Sequence, residues 1–104
     1  MPPALFDIVN ARKVWGGCED QRPWLVVELR PGGVVGAFPI SGQCYQGDCF
    51  ELHPDHPDFA ATGLTKRCHV HHTSIVELLP GEILRPRGVL TGGLLRAFRD
   101  EAGL

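Results

Sequence analysis

Arg22 and Ser41 bound the stretch QRPWLVVELRPGGVVGAFPIS, residues 21–41. Between them lie two apolar runs and one Pro-Gly-Gly turn. Glycine supplies positive φ freely, and so short a connection folds the second run back on the first as an antiparallel hairpin. Antiparallel strands of similar length bring the start of one beside the end of the other. Arg22 and Ser41 then flank the hairpin at its open end, where both can reach one phosphate. A guanidinium is a poor base but a good fixed charge, with donors already aimed at an anion. A hydroxyl beside it adds a directional contact. Each residue also has a plainer reading: an arginine before a strand is often a surface charge, and a serine after a strand a turn residue.

A second set of polar residues follows in RCHVHHTSIVELL, residues 67–79, which reads as a strand. Its alternation sets Cys68, Val70, His72, Ser74, Val76 and Leu78 on one face and His69, His71, Thr73 and Glu77 on the other. The second face is the more polar and is expected to be wet. It offers His69 and His71 as groups that titrate near neutrality and can act as acid or base, although plain surface histidines would give the same pattern. Lys66 stands just before this strand and Arg67 opens it. Among the aromatic residues, Trp24 and Phe50 sit in apolar strands and read as core. Tyr45, in the loop after Ser41, is the side chain placed to stack on a base.

Around these residues, LFDIVNARKVW (5–15) reads as a first strand and GGCEDQ (16–21) as a polar loop. PWLVVELR (23–30) is a buried strand, PGG (31–33) a turn, and VVGAFPI (34–40) the return strand. SGQCYQGD (41–48) is loop, CFEL (49–52) a short strand, and HPDHPDFAATGLTK (53–66) a long irregular connection of the kind that carries function. PGEILRPRG (80–88) reads as turn, extended piece and turn. VLTGGLLRAFRDEAGL (89–104) is a helix, with Thr91 as N-cap, Leu90, Leu94, Leu95 and Phe98 as its apolar stripe and Gly103 as its stop. Five short strands and one C-terminal helix predict a mainly β fold: a small, strongly bent antiparallel barrel with a helix packed on it.

The 104 residues make one domain, 1–104, with no repeat or linker. Apolar residues are 43% and charged residues 21%, an ordinary globular balance. A net charge of −2 does not announce a nucleic-acid binder, but lysine is scarce and Arg85, Arg87, Arg96 and Arg99 crowd the last twenty residues. No run of residues is long and apolar enough to span a membrane, and MPPALFDIVN has no basic region, so a cytoplasmic location is expected. The four cysteines, Cys18, Cys44, Cys49 and Cys68, are then expected as reduced thiols. A zinc module built from them and His69, His71 and His72 is a weaker fit, because structural zinc sites show two tight ligand pairs; no metal or other cofactor is expected.

Several pieces of the chain, in order, resemble the MazF/PemK family of toxin endoribonucleases: FDIV (6–9), RPWLVV (22–27), FPIS (38–41), TGLTKRCHV (62–70) and GVLTGGLLRAF (88–98). Each is short; their order and spacing carry the likeness, which spans nearly the whole chain. The resemblance implies an SH3-like barrel, usually a homodimer. It also implies metal-independent cleavage of single-stranded RNA and inhibition by a cognate antitoxin protein. It places Arg22 and Ser41 at the positions of the family's catalytic Arg and Thr, with serine keeping the hydroxyl and losing the methyl that stiffens the rotamer. Some members carry an acidic residue near the position of Thr73, and here His71 is the group expected to replace it. Tyr45, Lys66, Arg67 and His69 are the expected RNA contacts. The alternative is a catalytically degenerate barrel that binds protein or nucleic acid.

Overall fold

The computed structural model describes residues 2–15, 18–45, 47–73 and 75–104, with the side chains of residues 18–20 outside the description. Gly16, Gly17 and Gln46, read above as loop, Ser74, read as a strand residue, and the thiol of Cys18 therefore lie outside the described residues.

Seven strands and one helix are formed among the described residues: β1 (Asp7–Trp15), β2 (Cys18–Leu29), β3 (Val35–Ser41), β4 (Cys49–Leu52), β5 (Cys68–His71), β6 (Val76–Leu78), β7 (Ile83–Val89) and α1 (Gly92–Ala102). The strands run antiparallel in the order β4-β5-β3-β2-β1-β7, with β6 also paired to β3. The expected mainly β fold with a C-terminal helix is present, but the expected barrel is not closed. The two outer strands, β4 and β7, do not pair with each other among the described residues. No helix among them is long and apolar enough to cross a membrane.

Three elements differ from the sequence expectation. β2 begins at Cys18 rather than at Pro23, and its first residues continue the ladder with β1 from Trp15↔Cys18 to Ala11↔Arg22. Arg22 is therefore inside a strand and not at its start. The polar composition of residues 18–21 hid this, because a hairpin arm satisfied by its partner's backbone needs no apolar face. The strand read over 67–79 is two strands, β5 and β6, which meet the two halves of β3. Their gap falls beside Phe38 and Pro39 of β3, and a proline has no N–H to give to a ladder. Residues 80–88, read as turn, short extended piece and turn, and Val89, read as the start of the helix, supply the whole strand β7 on β1, and α1 begins at Gly92.

Strand alternation divides the core into two clusters. Ile8, Leu25 and Phe38 lie in neighbouring register on one face, and Leu94 and Phe98 of α1 cover them with Leu52, Phe59 and Val70. Phe98 is the hub, with edge-on contacts to Phe38 at 6.3 Å and Phe50 at 5.5 Å between ring centres. Val9, Ala11, Trp24, Val26, Val35, Ala37 and Leu78 make the second cluster on the opposite face.

The long connection 53–66 docks by close backbone approach. A β-carbon on Gly88 would stand 2.3 Å from the Thr62 carbonyl, so β7 lies directly on the 3₁₀ turn Ala60–Thr62. The start of α1 is capped from this connection too. Thr91 has the extended backbone of an N-cap but makes no side-chain cap bond. Instead Asp58 Oδ2 accepts the Gly93 and Leu94 N–H groups at 2.9 and 3.4 Å. A β-carbon on Gly92 would lie 2.6 Å from the same oxygen, which explains a glycine where helix propensity disfavours one. Replacing Asp58 with Ala should lower stability by about 1 kcal/mol, the usual worth of an N-cap, and fray the first turn of α1. Urea unfolding followed by far-UV circular dichroism measures both effects, and Thr91→Ala should change neither.

Candidate anion-binding site

The β2–β3 ladder ends at Trp24↔Pro39. Continued by two residues, its register would set Arg22 opposite Ser41. The strands part instead: at this level β2 pairs with β1 and β3 pairs with β5 through Ser41↔His69. Pro23 and Pro39 stand at the divergence, and each lacks the N–H that would extend a ladder. The splay opens a cavity of about 330 Å³. Arg22, Ser41 and Tyr45 line it, with Lys66, Cys68 and Arg87 contributed by the connection, β5 and β7. Among the described residues its lining includes three cations and no carboxylate.

Each cation is held differently. Arg22 is half-buried, with its guanidinium carbon 4.7 Å from the centre of the Trp15 ring. Its Nε is buried and has no hydrogen-bond partner among the described residues. A charged donor in that condition is unfavourable unless something supplies an acceptor. Arg87 is tied down: its Nε donates to the Gly63 carbonyl at 3.1 Å and its Nη1 to Asn10 Oδ1 at 3.3 Å. Lys66 is exposed at the rim.

Beside Ser41 the structure overturns the expectation of a wet His71. His71 is only 2% exposed. Trp15 covers it edge-on at 4.8 Å between ring centres, and Tyr45 stacks on it at 5.7 Å. Those rings come from β1 and the 42–48 loop, so alternation along β5 alone could not reveal the cover. The Ser41 Oγ lies 2.7 Å from His71 Nε2, and the Gln43 carbonyl lies 2.6 Å from that hydroxyl and 3.0 Å from the same nitrogen. A carbonyl only accepts, so Nε2 carries the hydrogen. It donates to Gln43 and Ser41, and the serine hydroxyl donates to Gln43. In this arrangement His71 is not a base toward Ser41. Burial pushes its imidazole below the usual range, against the pull of the Gln43 carbonyl, and the positive charge of Arg22 acts in the same direction as burial.

The expectation of reduced thiols also fails for one pair. Cys44 and Cys49 are joined in a disulfide, and Cys49 Sγ lies 3.6 Å from His71 Nδ1. Antiparallel pairing of β4 with β5 sets Cys49 opposite His71 and leaves the loop to bring Cys44 across. Bonded to each other, they cannot serve as the thiolate pair of a zinc module. Cys68 is a buried free thiol that donates to the Lys66 carbonyl at 3.2 Å, and burial raises its pKa.

Of the remaining expected RNA contacts, Arg67 and His69 are not in the lining. Both face Glu51 of β4, with Arg67 Nη1 at 3.6 Å and His69 Nε2 at 3.8 Å from its carboxylate. His69 is nevertheless opposite Ser41 in register. Arg87, read only as one of the C-terminal arginines, lines the cavity, and Trp15 lies against Arg22. Gly88 permits the close approach of Ala61 and Thr62, and Gly63 that of the Arg87 backbone.

The chain matches no protein-family model and no curated protein.

The buried imidazole carries a pH signature. In the unfolded chain His71 takes up its proton below about pH 6.5, while the folded protein resists until lower pH. Its contribution to stability is therefore present above that value and is lost as pH falls toward the folded pKa. Melting temperature measured from pH 7.5 to 5 should drop less steeply for His71→Gln than for the wild-type protein.

Proposed function

We propose that the splay cavity holds one phosphodiester of single-stranded RNA and that the protein is a metal-independent endoribonuclease, the toxin of a toxin–antitoxin pair. The observation that carries this reading is the pairing of Arg22 and Ser41 on one cavity lined by cations, with Arg22 Nε buried and unpartnered among the described residues. A phosphate oxygen would supply the acceptor that Arg22 lacks. The motifs resembling MazF/PemK proteins support the choice of RNA, and the open, curved sheet with its terminal helix is compatible with an unclosed SH3-like roll. A homodimer, a cognate antitoxin and a cytoplasmic location belong to the same proposal.

The reaction this geometry fits is attack of the RNA's own 2′-oxygen on the adjacent phosphorus, with departure of the 5′-oxygen. Charge builds on the phosphoryl oxygens, and donors fixed in advance are worth most there. Arg22, clamped against Trp15, and Arg87, held by Gly63 and Asn10, are such donors. Ser41 supplies a hydroxyl hydrogen bond to the phosphate. His71 is a positioning residue that acts through Ser41. Tyr45, 64% exposed, offers its outer face to a base.

A binding module without catalysis is the second reading. The Ser41 hydroxyl already donates to Gln43, which favours it.

Incubation with a long single-stranded RNA in excess EDTA and reducing buffer tests the proposal. Discrete cuts are expected. Arg22→Ala should slow cleavage by roughly 100-fold or more, the usual loss for one fixed donor at developing charge, with the fold retained. Ser41→Ala should slow it by roughly tenfold, about one hydrogen bond. Wild-type rates in folded Arg22→Ala would remove this residue from the mechanism, and a gel shift without cuts would select the binding module.

A further inference from the structure

Residues 42–45 lean onto the two groups that sit beside the cavity. The Gln43 carbonyl takes the hydrogen of the Ser41 hydroxyl and that of His71 Nε2. Tyr45 covers the His71 ring, with planes 19° apart. Cys44, the residue between them, is bonded to Cys49 at the start of β4, and Cys49 touches the other nitrogen of the same imidazole. One covalent bond therefore closes the loop whose carbonyl engages both polar groups.

We propose that the Cys44–Cys49 disulfide is a redox latch on the cavity: oxidised, it holds Ser41 and His71 on the Gln43 carbonyl, and reduction by a dithiol releases them toward bound phosphate. The inference rests on reading the cavity as the phosphodiester site, and it names how that site is regulated.

The chemistry of opening follows from exposure. Cys44 is exposed and Cys49 half-buried, so a reductant thiolate attacks the Cys44 sulfur. The S–S bond breaks, Cys49 leaves as a thiolate beside the His71 imidazole, and a mixed disulfide remains on Cys44. The second thiol of the reductant then attacks that mixed disulfide. Cys44 departs as a thiolate, the reductant ends as its own disulfide, and the protein has gained two electrons and two protons. The Cys49 leaving group lies 3.6 Å from His71 Nδ1, the nitrogen without a hydrogen, and takes its proton from solvent. Reduction also changes what faces the imidazole. A disulfide sulfur has no hydrogen to give, whereas the Cys49 thiol can donate to Nδ1. Cys68 is no competitor for either sulfur, since it is buried and its raised pKa keeps it a thiol.

Three samples test the latch: the oxidised protein, the protein reduced with dithiothreitol, and the Cys44→Ser/Cys49→Ser double variant without reductant. Ring ¹⁵N–¹H spectra of His71 read the latch without RNA. The Nε2 hydrogen should exchange with water faster, and the Tyr45 ring signals should move, in the reduced and double-variant samples alike. Cleavage in EDTA should rise roughly tenfold on reduction, about the effect of freeing one hydrogen bond, and the double variant should match the reduced rate with no reductant present. Unchanged His71 and Tyr45 signals overturn the latch whatever the RNA result. A double variant that cleaves only at the oxidised rate overturns it too. If no sample cuts RNA but the His71 and Tyr45 signals respond as stated, the latch stands and the ribonuclease reading fails.

Discussion

The parting of β2 from β3 after Trp24 and Pro39 is the constraint on which the rest depends. Up to that point the two strands make an ordinary hairpin with apolar faces. Beyond it, each is held by another neighbour, β1 for β2 and β5 for β3, so the gap between them is stiff on both sides. The residues at its mouth need not fill it. Arg22 sits in the middle of a twelve-residue strand, which fixes its backbone far better than a loop would. Ser41 is the last residue of β3 and opposes His69. A charged group and a hydroxyl are thus set on one cavity by backbone pairing rather than by their own contacts.

Polar and apolar demands are separated along the same strands. The Trp24, Val26 and Ala37 end of the sheet packs a dry cluster, and the Arg22, Ser41 and His71 end carries the hydrogen-bonding groups. Trp15 joins the second set. It lies against both the Arg22 guanidinium and the His71 ring, so it is a wall for a fixed cation and an imidazole at once. On the far side of the cavity, Gly63 and Gly88 let the 60–62 turn press onto β7, and Arg87 is pinned there by the Gly63 carbonyl. The docking of the long connection and the placement of a cation are therefore one event.

Much of this was legible from residue types. The Pro-Gly-Gly turn with its two apolar runs predicted the hairpin, and the arginine and serine at its open end do line one cavity. The helix stripe was legible from its spacing, with Leu94 and Phe98 buried. What failed were features decided by distant parts of the chain. The burial of His71 comes from Trp15 and Tyr45, fifty-six and twenty-six positions away in the sequence. The cap on α1 comes from Asp58 instead of the adjacent Thr91, and the strand nature of residues 18–22 comes from pairing with β1. The Cys44–Cys49 bond depends on a loop returning to the start of β4, and cysteine counting cannot supply that. Arg67 was placed by local sequence near the site, and a tertiary carboxylate, Glu51, draws it aside.

The central claim is that one phosphodiester rests between Arg22 and Ser41. The most direct measurement is a crystal structure of the reduced protein with a short oligoribonucleotide made uncleavable by 2′-O-methyl groups. The account predicts a phosphate in the β2–β3 gap, within hydrogen-bond distance of the Arg22 guanidinium and the Ser41 hydroxyl, with a base against Tyr45. RNA seated elsewhere, such as along the arginines of α1, with the gap holding no phosphate, would contradict it.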